Sequence, residues 1–174
     1  MIMRHVISVI LQNEVGALTR MTGLFSTRGY NIESLNVAAT DDKNLSRVTL
    51  VVKGTDKAIA QLNSQLSKLV DVISINDMTL GDYFERELLI VKVKLNTTAD
   101  KKILPIIDEY KGEIIDDSID SFTIQLTDNV KNIDNFLSRI INLGDLHAVA
   151  RSGSVSVTKG QITLSSYANQ NLSS

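Results

Sequence analysis

The sequence predicts an α+β chain built from two consecutive βαββαβ units. Short β-branched runs alternate with apolar stripes of helical period, that order occurs twice, and glycines or polar turn residues punctuate nearly every junction. A βαββαβ order folds as an antiparallel sheet with two helices on one face. Two ferredoxin-like sandwiches are therefore expected.

In the first unit, residues 4–12 carry Val6, Ile7, Val9 and Ile10 and read as a strand. Residues 16–28 place Ala17, Leu18, Met21, Leu24 and Phe25 on one helical face, with Gly29 in position to close the helix. Residues 32–39 alternate, with Leu35, Val37 and Ala39 on one side and Ser34, Asn36 and Ala38 on the other. A polar turn at Asp41-Asp42-Lys43-Asn44 leads to a further alternating strand, 46–53. Thr55 or Asp56 can cap a second helix with the stripe Ile59, Leu62, Leu66 and Leu69, and residues 70–76 complete the unit as a strand.

The second unit repeats the order with a strand at 88–95 and a helix at 98–110. Pro105, the chain's one proline, predicts a kink or early break in that helix. A hairpin of 113–116 and 121–127 follows, then a helix capped by Asn129 and stopped by Gly144, and a last strand over 147–157. The domains expected are 1–80 and 88–160, joined by a linker at 81–87. A Ser-, Asn- and Gln-rich segment at 161–174 reads as a flexible tail. A sheet with helices on one face leaves its other face or its edges in need of cover, which predicts a homodimer.

Composition narrows the function. A net charge of −2 lacks the basic footprint of a nucleic-acid binder, and the central strands of the first unit carry no aromatic residue on which bases could stack. The absence of cysteine removes disulfides, iron–sulfur ligation and thiol chemistry. No secretory signal and no apolar run of membrane length appear, so a soluble intracellular protein is expected. His5 and His147 lie in strands and read as packed or edge residues. Asp41-Asp42 and Asp116-Asp117 read as solvated turns, and Glu85-Arg86-Glu87 as a surface charge cluster.

The candidate site is the turn from Asn13 to Leu18. Gly16 allows positive φ, and the following helix presents unpaired amides and its positive dipole end over the turn, which suits a carboxylate. Free amides at Gly16, Ala17 and Leu18 would hold that carboxylate. The side-chain oxygens of Asn13 and of Asn31, in the turn at the far end of the same helix, could accept from an ammonium group. A twofold dimer could bring one chain's first turn against the other's second, and the ligand that fits is a small amino acid. No nucleophile, acid–base pair or metal cluster accompanies these residues.

At these positions the chain resembles the regulatory small subunits of acetolactate synthase (acetohydroxyacid synthase). The matching stretches are 13–18 (Asn-Glu-Val-Gly-Ala-Leu), 23–35 (Gly-Leu-Phe-Ser-Thr-Arg-Gly-Tyr-Asn-Ile-Glu-Ser-Leu), Leu45-Ser46-Arg47, 68–72, Glu85-Arg86-Glu87 and Ala150-Arg151-Ser152-Gly153. The resemblance runs from His5 to about Gly160. It implies an N-terminal ACT domain for amino-acid binding and dimerisation, and a C-terminal domain of related topology. It further implies a non-catalytic subunit in branched-chain amino acid biosynthesis that activates a large catalytic subunit and confers feedback inhibition by valine or a related amino acid. Asn13, Gly16 and the amides of Val15 to Leu18 would grip the effector, with Asn31 and Ile32 supplied by the adjacent protomer. Thiamine diphosphate, magnesium and FAD would belong to the catalytic partner. The implied location is the bacterial cytoplasm or, for an organelle-encoded chain, the plastid stroma. The alternative is an amino-acid-sensing ACT regulator of a different enzyme.

Overall fold

The computed structural model describes residues 1–95 and 100–160; the expected tail at 161–174 lies outside the described residues. Two compact units are present, residues 85–153 and, around them in sequence, residues 1–84 with the segment that begins at Ser154.

The first unit runs β1 (Met3–Gln12), α1 (Ala17–Thr27), β2 (Ile32–Ala39), β3 (Leu45–Gly54), α2 (Asp56–Leu66) and β4 (Val72–Asp77), followed by a single 3-10 turn (Met78–Leu80). Its sheet order is β2-β3-β1-β4, antiparallel throughout. The period-2 pattern sends Ile7, Val9 and Leu11 of β1 and Val48, Leu50 and Val52 of β3 to one face. There they meet Ala17, Met21 and Phe25 of α1 and Ile59, Leu62 and Leu66 of α2, all buried. Burying an aromatic or branched aliphatic side chain contributes about 1.5–3 kcal/mol, so this layer holds the unit together. Thr55 caps α2 by accepting from the Ala58 amide.

The opposite face of this sheet is already covered within the chain. Val6 and Val51 pack with Met78 of the 3-10 turn and with Tyr83. The Ser154 amide donates to Ser34 Oγ at 3.0 Å, and Arg4 Nη2 donates to Ser154 Oγ at 3.4 Å. The argument that this face needs a second copy for cover therefore fails for its Val6–Val51 end, because the chain returns to supply it. The β2 edge stays open: Val37, Ala38 and Ala39 are exposed.

The second unit contains β5 (Tyr83–Leu95), α3 (Asp100–Glu109), β6 (Glu113–Ser118), β7 (Ser121–Asp128), α4 (Val130–Ile140) and β8 (Gly144–Arg151), with sheet order β6-β7-β5-β8. Its core joins Leu89, Val91, Val93, Ile124 and Leu126 to Ile103 and Ile107 of α3 and Ile133, Phe136 and Ile140 of α4. A final strand, β9 (Val155–Thr158), pairs with β5, and the Lys159 amide donates to Asp82 O at 3.0 Å.

Four local expectations are corrected. Residues 81–87 are not a loop, since β5 begins at Tyr83; its early residues become strand because β9 returns to pair with β5. The expected strand 147–157 is two strands, β8 and β9, separated at Gly153 with φ 75°. Gly144 opens β8 rather than closing α4, and a Cβ there would collide with the Lys94 carbonyl oxygen. Pro105 does not break α3, which continues to Glu109 with Ile103 and Ile107 buried on either side of the proline. Core packing on both sides offsets the roughly 3 kcal/mol an interior proline costs.

No helix among the described residues is long and apolar enough to cross a membrane.

Candidate functional site

The first turn has the backbone that its glycine suggested. Gly16 takes φ 86° and ψ −12° as the residue preceding α1, and no side chain caps the helix. The Ala17 amide donates to Glu14 O at 3.2 Å and the Arg20 amide to Gly16 O at 2.9 Å. The Leu18 and Thr19 amides have no acceptor among the described residues, which leaves two helix-terminal donors and the positive dipole end for an anion. Ala17 is buried in the core and fixes the helix start. Val15 is 100% exposed and Leu18 36%, so apolar side chains stand beside the free amides.

Asn13 joins this turn to the one between β2 and β3. Its amide donates to Asn44 O at 2.7 Å and its side-chain Nδ2 to Lys43 O at 2.9 Å. The nitrogen end is thereby committed, and the side-chain oxygen accepts from no described residue.

At the other end of α1 the chain makes a Schellman turn. The Gly29 amide donates to Ser26 O at 3.1 Å and the Tyr30 amide to Phe25 O at 2.9 Å, with Gly29 at φ 71°. Tyr30 is anchored through its hydroxyl to Ala58 O at 3.1 Å. This delivers Asn31 to an exposed position and starts β2 at Ile32, which is half-buried against the core and level with Val52. An 11-residue helix separates the two turns, so Asn31 and Ile32 lie about 16 Å along α1 from Gly16. One chain groups Asn13, Val15, Gly16, Ala17 and Leu18, and holds Asn31 and Ile32 apart from them.

The structure adds two residues that sequence reasoning missed. Arg20, one turn into α1, makes a two-point ion pair with Asp71: Nε to Oδ2 at 2.6 Å and Nη2 to Oδ1 at 2.8 Å. Asp71 is 3% exposed, and its carbonyl also receives the Gln12 amide at 2.8 Å. The guanidinium holds the Asp71 carboxyl below the usual carboxylate range, and the carboxylate in turn raises Arg20. A Cβ on Gly16 would stand 2.8 Å from Arg20 Nη1, the guanidinium nitrogen that Asp71 leaves over. The spacing of Gly16 and Arg20 is one helical turn and was legible; the distant Asp71 was not.

The remaining candidates are structural. His5 is 1% exposed, with Nδ1 3.0 Å from Asp77 Oδ2, while His147 is exposed on β8. Asp42 Oδ1 accepts from the Asn44 amide at 2.9 Å and so shapes its turn. Glu87 corrects the surface-cluster reading: it is 4% exposed and accepts from Arg151 Nε and Nη2, both at 2.8 Å. Arg151 Nη1 also reaches Asp134 of α4 at 2.8 Å. Among the described residues no group of three His, Cys, Asp or Glu could hold a metal ion.

Comparison with known proteins matches both units. Residues 7–74 match the AHAS small subunit-like ACT domain, a span holding both turns and Asp71, and residues 86–160 match the family described as small subunit of acetolactate synthase. The chain is 42% identical over 158 residues to the acetolactate synthase isozyme 3 small subunit of Escherichia coli K12, covering 91% of this chain and 97% of that one. It is 41% identical over 159 residues to the acetolactate synthase small subunit of Haemophilus influenzae, covering 91% and 98%. The crystal structure of the acetolactate synthase small subunit from Thermotoga maritima superposes with a TM-score of 0.82 at 28% identity, covering 92% of this chain and 99% of that one. An ACT unit matched over residues 7–74, followed by a second unit matched over 86–160, has one reading: the chain belongs to the acetolactate synthase small-subunit family.

Proposed function

We propose that this chain is the regulatory subunit of an acetolactate synthase, activating a large catalytic subunit and making it subject to inhibition by valine or a related branched-chain amino acid. The observation that carries the effector site is the uncapped start of α1 at Gly16, where the Leu18 and Thr19 amides have no bonded acceptor among the described residues and Arg20 Nη1 lies beside Gly16, at a turn with no catalytic group. A carboxylate fits those donors. The Asn13 side-chain oxygen can accept from the ammonium group, and the exposed Val15 and Leu18 offer apolar surface to a branched side chain.

Because α1 separates the two turns, Asn31 and Ile32 must come from a second copy. The β2 edge begins at Ile32 and is open, so pairing through it fits a homodimeric site. Effector binding then acts on how two copies sit together. A coupling of about 1–3 kcal/mol between effector site and catalytic partner would change the response several-fold to about a hundredfold. Thiamine diphosphate, magnesium and FAD are assigned to the large subunit in this reading, and this chain's residues supply only effector binding and its transmission.

The test is reconstitution. The chain is mixed with its large subunit, and synthase activity is titrated with valine, leucine and isoleucine. Activation by the wild-type chain and inhibition by one of the three are expected. Asn13→Ala and Asn31→Ala should each relieve inhibition while leaving activation largely in place. Wild-type inhibition in both variants, with the fold intact, counts against this effector site.

A further inference from the structure

His5 is a buried titratable side chain that takes no part in the effector turn. It stands on β1 in line with Ile7, Val9 and Leu11, on the sheet face that meets α1 and α2, and is 1% exposed. Its two ring nitrogens face two different carboxylates. Nδ1 lies 3.0 Å from Asp77 Oδ2, at the end of β4. Nε2 lies 3.5 Å from Asp56 Oδ1, on the first residue of α2.

The bonds around Asp77 place the proton of a neutral ring. Asp77 Oδ1 accepts from the amide and the hydroxyl of Thr79, so the carboxylate acts as an acceptor and the ring N–H sits on Nδ1. Nε2 is then a bare lone pair, buried and without a hydrogen bond to any described residue. A lone pair and a carboxylate oxygen 3.5 Å apart repel. A second proton reverses that, because Nε2–H becomes a donor and Asp56 is in place to accept it. The neighbouring charges face elsewhere. Level with His5 on β3 is Val52, and Lys53 and Arg4 alternate to the opposite face, where Lys53 meets Glu33 and Arg4 meets Ser154. Lys57 of α2 is exposed. Asp56 belongs to the helical turn that holds the second half of the effector site: Thr55 caps α2 on the Ala58 amide, and Ala58 O receives the Tyr30 hydroxyl at 3.1 Å. Tyr30 immediately precedes Asn31 and Ile32.

We infer that His5 is a proton-operated latch on the effector site. Uptake of a proton from solvent at Nε2 ties β1 to the first turn of α2 and, through Tyr30, steadies the turn that presents Asn31 and Ile32. This deepens the effector-site reading above and rests on it. A ligand that uses Asn31 meets a turn already held in place and has less left to order, so valine binds more tightly when the ring is charged. The first half of the site does not respond in the same range, because Arg20 holds the Asp71 carboxyl below the usual carboxylate range.

The experiment is valine calorimetry on the full-length chain at about pH 8 and about pH 6, the span in which an imidazole takes up a proton. Asp56 is 75% exposed, so its ion pair is worth little, and the wild-type chain should bind valine on the order of threefold more tightly at the lower pH. His5→Gln keeps a donor for Asp77 and cannot take up a proton. Asp56→Ala removes the acceptor. Each should bind valine equally at both pH values, near the wild-type affinity at the higher one. Tyr30→Phe should also lose the response, while the His5 ring still takes up its proton by NMR. A response of wild-type size in Asp56→Ala or in Tyr30→Phe overturns the inference, and so does a wild-type chain that binds valine equally at both pH values. If His5→Gln does not fold, the exposed change Asp56→Ala decides in the same two directions. Failure of the wild-type chain to bind valine at either pH would instead overturn the effector-site reading, and this inference with it.

Discussion

Arg20 and Asp71, separated by 51 residues, clasp each other beside Gly16 and tie the start of α1 to the segment that enters β4. Their pair leaves Arg20 Nη1 beside Gly16, at the turn proposed above as the effector site. Asp71 is the buried partner, so its ionisation is where acid should act. Its folded-state pKa is depressed by the guanidinium, so the stability it contributes is fully present above its unfolded value of about 3.8 and is lost as pH falls through the lower folded value. Asp71→Asn should therefore lower the urea midpoint at neutral pH. The gap between wild type and variant should close as pH is lowered below about 4. A gap unchanged in acid would show that Asp71 acts by packing rather than by charge.

Gly16 is the position where the backbone and the proposed carboxylate site make the same demand. At φ 86° a side chain costs about 1–2 kcal/mol, and its Cβ would press on Arg20 Nη1, which is flexible enough to move. Gly16→Ala should thus cost stability on that modest scale while displacing the guanidinium and narrowing the turn. The expected outcome is a loss of valine affinity of more than tenfold by calorimetry, with the denaturation midpoint only slightly reduced. Unchanged affinity would mean the carboxylate does not bind at this turn.

How much of this was legible depended on sequence distance. Gly16, Gly29 and the caps Thr55 and Asn129 act within a few residues, and they fall where local turn and cap chemistry put them. Asp71 could not be paired with Arg20 from the sequence, because nothing local marks an aspartate for a helix 51 residues away. Tyr83 to Glu87 reads as a charged linker until β9 returns to pair with β5, and Glu87 reads as surface until Arg151 meets it. Pro105 misled in the opposite sense, since a local penalty was outweighed by Ile103 and Ile107 in the core. Asn31 follows from local turn chemistry and Ile32 from the family resemblance, and their distance from Gly16 along α1 is set only once the helix has its length.

The Glu87–Arg151 pair gives the second unit a weak point of its own. Arg151→Ala would strand the carboxylate of Glu87, 4% exposed, with no other cation bonded to it among the described residues. Removing one partner of a buried pair costs about 3–5 kcal/mol, with the lower end expected here because Arg151 is about one-third exposed. Arg151→Ala should destabilise the second unit by roughly 3 kcal/mol in urea unfolding, whereas Glu87→Gln combined with Arg151→Met should recover most of that loss. Equal destabilisation by the single and the double change would show that the charge pair itself is favourable.

Val37 tests the two-chain site. It lies on the open β2 edge, 38% exposed and level with Val48 of β3, and the strand carries only one acid, Glu33, already paired with Lys53. An edge of this kind invites pairing, and a lysine is the residue that natural sheets use to block it. If the effector site is completed by Asn31 and Ile32 of a second copy, Val37→Lys should shift sedimentation from dimer toward monomer and weaken valine binding in proportion. Raising the protein concentration should restore both together, because dimerisation and effector binding are linked. Recovery of valine binding in a population that stays monomeric would show that the Asn13–Leu18 turn binds without its counterpart. Asn31 would then have no part in the site.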